Sequence, residues 1–195
     1  MGCSFTERAS LRSSASRSGP GSAPVSRSQA RTSPEGELIL LEDQDRSLWD
    51  QVAIASGLDL VRRALRMRQP GPYQIQAAIA AVHAEARRPE ETDWNEIAQL
   101  YRALVEHNPT PVVELNRAVA VAMAEGPAAG LHLLEVLETD GALHNYHLFH
   151  AARADLLRRE GRFSEAAACY ERALELATNE AEQDFLRGRL AEVSA

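Results

Sequence analysis

The chain contains no lysine: every one of its 21 basic residues is an arginine. Such uniform usage reads as the codon bias of a GC-rich gene rather than as selection for guanidinium chemistry. Aromatic residues are scarce at 5%, and alanine and leucine carry most of the apolar content, which suits close helix packing better than strands. There are two cysteines, Cys3 and Cys169, too few and too far apart for a disulfide framework or a paired metal motif, and compatible with a reducing cytoplasm. No apolar run approaches membrane-spanning length, and the N-terminus lacks the continuous apolar stretch of a secretory signal, so a cytoplasmic location and no membrane partner are expected. A net charge of -7 argues against nonspecific binding to DNA or anionic lipid, which relies on basic side chains neutralising phosphate. A Gly-rich phosphate loop, a nucleophile elbow and a Cys-His pairing are all missing, so neither enzymatic activity nor a cofactor is expected.

What is present begins with a polar N-terminal stretch. Residues 1–35 are rich in Ser, Arg, Gly and Pro, with five arginines against two glutamates. Such a composition cannot bury enough surface to offset the entropy of ordering, so a disordered, protease-sensitive tail or linker is expected. Residues 36–195 are expected to form one helical domain. After a short apolar run from Glu37 to Leu41 and an acidic stretch, Ser47 caps a short helix through Ile54, Gly57 breaks it, and Leu58, Val61 and Leu65 share the face of a second. Pro72 then opens a helix with Ile75, Ile79, Val82 and Ala86 in a stripe at helical spacing. Asp93 with Glu96, Thr110 with Pro111, and Gly126 with Pro127 punctuate three more helices, and Asn179 with Glu182 caps the last. Connections this short imply antiparallel neighbours, hence an all-α fold of stacked helical hairpins.

A repeat is visible within this pattern. From His150 to Leu176 the order of small, turn and aromatic residues (Ala154, Gly161, Phe163, Ala166, Tyr170, Ala173) resembles a tetratricopeptide repeat, in which each hairpin buries its face only by stacking on the next. Leu115, Val119, Gly126 and Leu131 form a weaker copy, and Trp94, Tyr101, Leu104 and Pro109 a fragment of another.

Several longer strings are more specific than helix composition. They run from Gly36 through the sequence ELILLEDQDRSLWD to Asp50, from Gly71 through PYQIQAAIAAV to His83, from Thr92 to Ile97, from Leu115 to Val121, and across Tyr146, His147 and Ala151–Leu157. Together they resemble the C-terminal helical extension of certain extracytoplasmic-function sigma factors, from about residue 36 to the end. The resemblance implies a regulatory interaction domain whose partner is the sigma-factor core, RNA polymerase or a regulator. The core-polymerase-binding and promoter-reading regions of that family have no counterpart in the 35 residues before it, so promoter binding and direct nucleic-acid contact are not implied. The other expectation is a free-standing helical-repeat adaptor for a peptide or protein.

Two clusters invite a chemical reading. His144, His147 and His150, with Asp155 beyond, have spacings that a zinc site could use, but no glutamate base or second motif accompanies them, and packing or partner-facing roles are favoured. Glu42, Asp43 and Asp45 lack the glycine and distal glutamate of a calcium loop and read as a solvated cap beside Arg46. The expected partner-interaction surface joins the polar string Asp43, Gln44, Asp45, Arg46 and Trp49 to a second set, Asn116, Arg117, Tyr146, His147, Arg153 and Asp155. These last lie either along a groove between repeats or in ties between helices.

Overall fold

The computed structural model describes residues 30, 39, 44–66 and 71–194, apart from the side chains of residues 62, 64 and 65. Among them are a 3-10 turn at Arg46–Leu48 and the helices α1 (Gln51–Arg66), α2 (Pro72–Glu85), α3 (Trp94–His107), α4 (Pro111–Glu125), α5 (Pro127–Thr139), α6 (His147–Arg159), α7 (Phe163–Leu176) and α8 (Glu180–Ser194). No strand occurs among the described residues. Each helix packs against the next in sequence, and α4 also meets α6. This is the pattern of stacked antiparallel hairpins in which alternate helices share a face.

The local causes are those the residues suggest. Asp93 accepts a hydrogen bond from the backbone of Glu96 at 2.9 Å, Thr110 from Val113 at 3.3 Å and Asn179 from Glu182 at 3.2 Å, each filling an orphan donor of a first turn. Pro72, Pro111 and Pro127 stand at helix starts, where a missing N–H costs nothing. Gly126 and Gly161 adopt φ of 108° and 75°, a region that favours glycine, and so turn the chain between consecutive helices.

Two expectations change. Gly57 does not split a helix: α1 runs through it, and the lost propensity of about 1 kcal/mol is carried by the neighbouring turns. The cap of α1 is Asp50, whose Oδ1 accepts from Val52 and Ala53, while Ser47 lies in the preceding 3-10 turn.

Two core clusters fill the stack. Ile75, Ile79, Val82, Ile97, Tyr101 and Leu104 pack with Val113 and Ala120 of α4. The opposite side of α4, with Leu115, Ala118, Val119 and Ala122, joins the larger cluster built on Leu134, Phe149, Leu156, Leu157, Tyr170 and Leu186. Trp94 packs on both clusters. The approach of α5 to α4 is close at Gly130, where a Cβ would lie 2.5 Å from that of Ala122 and 2.8 Å from the Ala118 carbonyl oxygen. A third, small cluster joins Trp49, Ile54 and Ala30, a residue from the stretch read as the tail that is nonetheless buried.

Candidate partner-docking surfaces

The first polar string folds into a corner between α1 and the end of α2. Asp45 accepts the Ser47 amide at 2.9 Å, and its hydrogen bonds with Ser47 hold its carboxyl below the usual range. Arg46 reaches back to donate to the carbonyls of His83, at 3.2 Å, and Ala86, which belong to the last turn of α2 and the residue that ends it. A cation at a helix C-terminus also meets the negative end of the macrodipole. The guanidinium stacks 4.8 Å above the Trp49 ring, and Trp49, read from sequence as part of a polar surface, is 3% exposed. A cleft of about 500 Å³ opens beside them, lined by Trp49, Ile54 and Leu58 on one side and Ala84, Glu85 and Arg87 on the other. Gln44 is half-buried and donates to the Ile39 carbonyl at 3.2 Å. Asp43 lies outside the described residues.

The second set sits on α4 and α6. Asn116 is buried, and its Oδ1 has no hydrogen bond among the described residues. Arg117 pairs with Glu114 one turn away at 2.7 Å, both half-buried. Tyr146 precedes α6, its ring edge-on to that of His147 at 5.8 Å. His147 crosses to α8, with its Nε2 3.2 Å from a carboxylate oxygen of the buried Glu182. Arg153 crosses to Glu138 at the end of α5. Asp155 pairs with Arg158 at 2.6 Å, and burial pushes its carboxyl up despite the opposing pull of Arg158, Arg159 and Arg189. Burial opposes the charge on Arg158, but the hydrogen bond and charge of Asp155, and then Tyr170, win and raise it. Tyr170, on α7, is pushed up to about 12, first by burial and then by the Asp155 charge.

The two groups are thus carried by different hairpins. His147 and Arg153 tie their helix to others, whereas Arg117 and Asp155 pair within their own helix, and Arg117 and Arg153 keep 28% and 26% of their side-chain surface in solvent. Sequence reasoning missed the partners Glu138, Arg158 and Glu182. The spacing of three between Asp155 and Arg158 was the one available signal; the other two are long-range.

The histidines diverge. The ring of His150 donates to the His144 backbone carbonyl at 2.8 Å, and burial lowers its basicity, while His147 turns to Glu182. Among the described residues no three His, Cys, Asp or Glu side chains are placed to hold a metal. The Cys169 thiol is half-buried and pushed up by that burial, which disfavours the nucleophilic thiolate. No helix among the described residues is long and apolar enough to cross a membrane.

Fold and surfaces together define a tetratricopeptide-like helical-repeat protein, a class that serves protein–protein interaction. The tetratricopeptide repeat family matches residues 147–187, spanning α6, α7 and the start of α8. A family of unknown function, DUF6596, matches residues 24–65. An uncharacterized protein of Rhizobium meliloti (strain 1021) is 49% identical over 170 residues, which cover 87% of this chain and 40% of that protein. The chain therefore spans well under half the length of the curated relative it matches. No solved structure matches.

Proposed function

We propose that the chain is a non-catalytic, cytoplasmic regulatory domain of the sigma-factor type, docking onto the sigma-factor core regions, RNA polymerase or a regulator without contacting DNA itself. The observation that carries this reading is the repeat stack with half-exposed charged residues, Arg117 and Arg153, on adjacent hairpins. Repeat stacks recognise partners through such extended polar surfaces. The sigma-type assignment rests on the residue strings from Gly36 to Asp50 and from Gly71 to His83. In the second of these, the carbonyl of His83 receives the Arg46 side chain of the first, so the two strings meet in space. The R. meliloti protein carries its matching region within a longer chain, which favours an appended domain over a free-standing adaptor.

The test is an affinity capture with the purified chain, scored separately for polymerase subunits and for sigma regions supplied in trans. Arg153→Ala and Asp45→Ala should weaken that capture while leaving the melting temperature nearly unchanged. A large fall in melting temperature in both variants would assign these groups to the fold instead. Capture of neither partner class by the unaltered chain would leave the adaptor reading in its place.

A further inference from the structure

We infer that the C-terminal ends of α4 and α6, with α8 beside them, form a docking site for an acidic segment of a partner protein, and that Arg159 receives its carboxylate. The first observation is how the arginines are paired. Every arginine of α4, α7 and α8 has a carboxylate three residues away on its own helix: Arg117 has Glu114, Arg172 has Glu175, Arg187 has Asp184 and Arg189 has Glu192. Arg159, the last residue of α6, breaks that pattern. It is half-buried, and among the described residues its guanidinium donates to the Met123 sulfur of α4 at 3.0 Å and meets no carboxylate within ion-pair distance. A thioether is a weak acceptor for a group with five donors, so a cation held partly out of water has most of its donors left to solvent.

The surroundings set the sign of the ligand. The charges of Arg158 and Arg159 on α6 and Arg189 on α8 all bear on Asp155, so three guanidinium groups gather here in a chain whose net charge is -7. Arg158 and Arg189 are already matched by Asp155 and Glu192, and Glu160, next in the chain to Arg159, bears on Arg162 instead. The unmatched charge is that of Arg159. A planar guanidinium takes a carboxylate through two parallel hydrogen bonds, which a side chain already paired cannot offer. Met123, half-buried beside it, adds an unbranched and adaptable apolar ledge. The fitting segment therefore carries an acidic residue next to an apolar one. This deepens the docking reading above by naming the chemistry that the partner presents.

Fluorescence anisotropy of the full chain with a short labelled peptide of alternating Glu and Leu, amidated at its C-terminus, tests this. The peptide should bind with a Kd below about 1 mM, and its counterpart of alternating Gln and Leu about tenfold or more weakly. Arg159→Gln should weaken the Glu peptide about tenfold with the melting temperature nearly unchanged, and Arg159→Lys, which keeps the charge but not the fork, should fall between. Arg102→Gln removes the same charge from an exposed position on α3 and should cost less than about twofold. Met123→Leu removes the sulfur and frees the guanidinium, so affinity should hold or rise. Four results overturn the inference: no binding of the Glu peptide, equal binding of both peptides, an equal loss in Arg102→Gln, or a loss in Met123→Leu matching that of Arg159→Gln, which would make Arg159 only a tie between α4 and α6. The peptide is neither a polymerase subunit nor a sigma region, so its failure to bind would leave a successful capture standing, and a failed capture would leave peptide binding standing.

Discussion

Tyr170 shows how one side chain couples packing to charge. It is 2% exposed, filling the space between α6 and its neighbours, and its hydroxyl faces Arg158 within the field of Asp155. In the folded state it is pushed up to about 12, above the ordinary tyrosine value of about 10, so between those limits the folded state binds more proton than the unfolded one. Stability is then fully present below about pH 10 and falls as pH rises toward 12, by about 2 to 3 kcal/mol at the upper end. Denaturant unfolding from pH 9 upward should show this fall, and Tyr170→Phe should flatten it; an equal fall in the Phe variant would refute the assignment. The sequence displayed Tyr170 as a packing aromatic at its repeat position. It could not display the Asp155–Arg158 pair beside the hydroxyl as half-buried, because that burial depends on α7 and α8 arriving from later in the chain.

Helices were legible where their ends carry their own chemistry. Asp93, Thr110 and Asn179 each bond an amide three residues on, a purely local event, and those starts are seen as read. Glycines were less legible, since their meaning depends on what stands opposite. Gly57 and Gly188 sit in helices with open space where a Cβ would go, whereas Gly130 faces Ala122, Ala118 and Leu156 at under 3 Å. Gly57→Ala and Gly188→Ala should each raise stability by about 0.5–1 kcal/mol through helix propensity. Gly130→Ala should lower it by about 1–3 kcal/mol, because α5 must move off α4 to admit the methyl group. Thermal unfolding of the three variants checks the contrast; a neutral Gly130→Ala would mean that the α4–α5 contact is looser than it stands.

At the scale of the whole molecule, order along the chain decides which residues meet. Polarity alone could not tell the sequence reader that Arg46 and Trp49 belong to the α1–α2 corner while Arg153 and Asp155 belong four helices further on, since hairpin stacking is nearest-neighbour. The same rule governs stability. The cluster of Ile75, Ile79, Ile97 and Leu104 and the larger cluster around Phe149 and Leu156 are joined through α4 and through Trp94, which touches both. Ile97→Ala, at a fully buried position, removes apolar volume from the smaller cluster alone and should cost about 2–5 kcal/mol locally. Hydrogen exchange in α2 and α3 should then accelerate strongly while the amides of α6 and α7 change little, as sub-global opening of one hairpin leaves the far one folded. Trp94→Ala should instead loosen α3, α4 and the start of the larger cluster together. If Ile97→Ala accelerates exchange evenly from α2 to α8, the stack unfolds as a single cooperative body, and α4 is then a rigid strut rather than the joint between two separable halves.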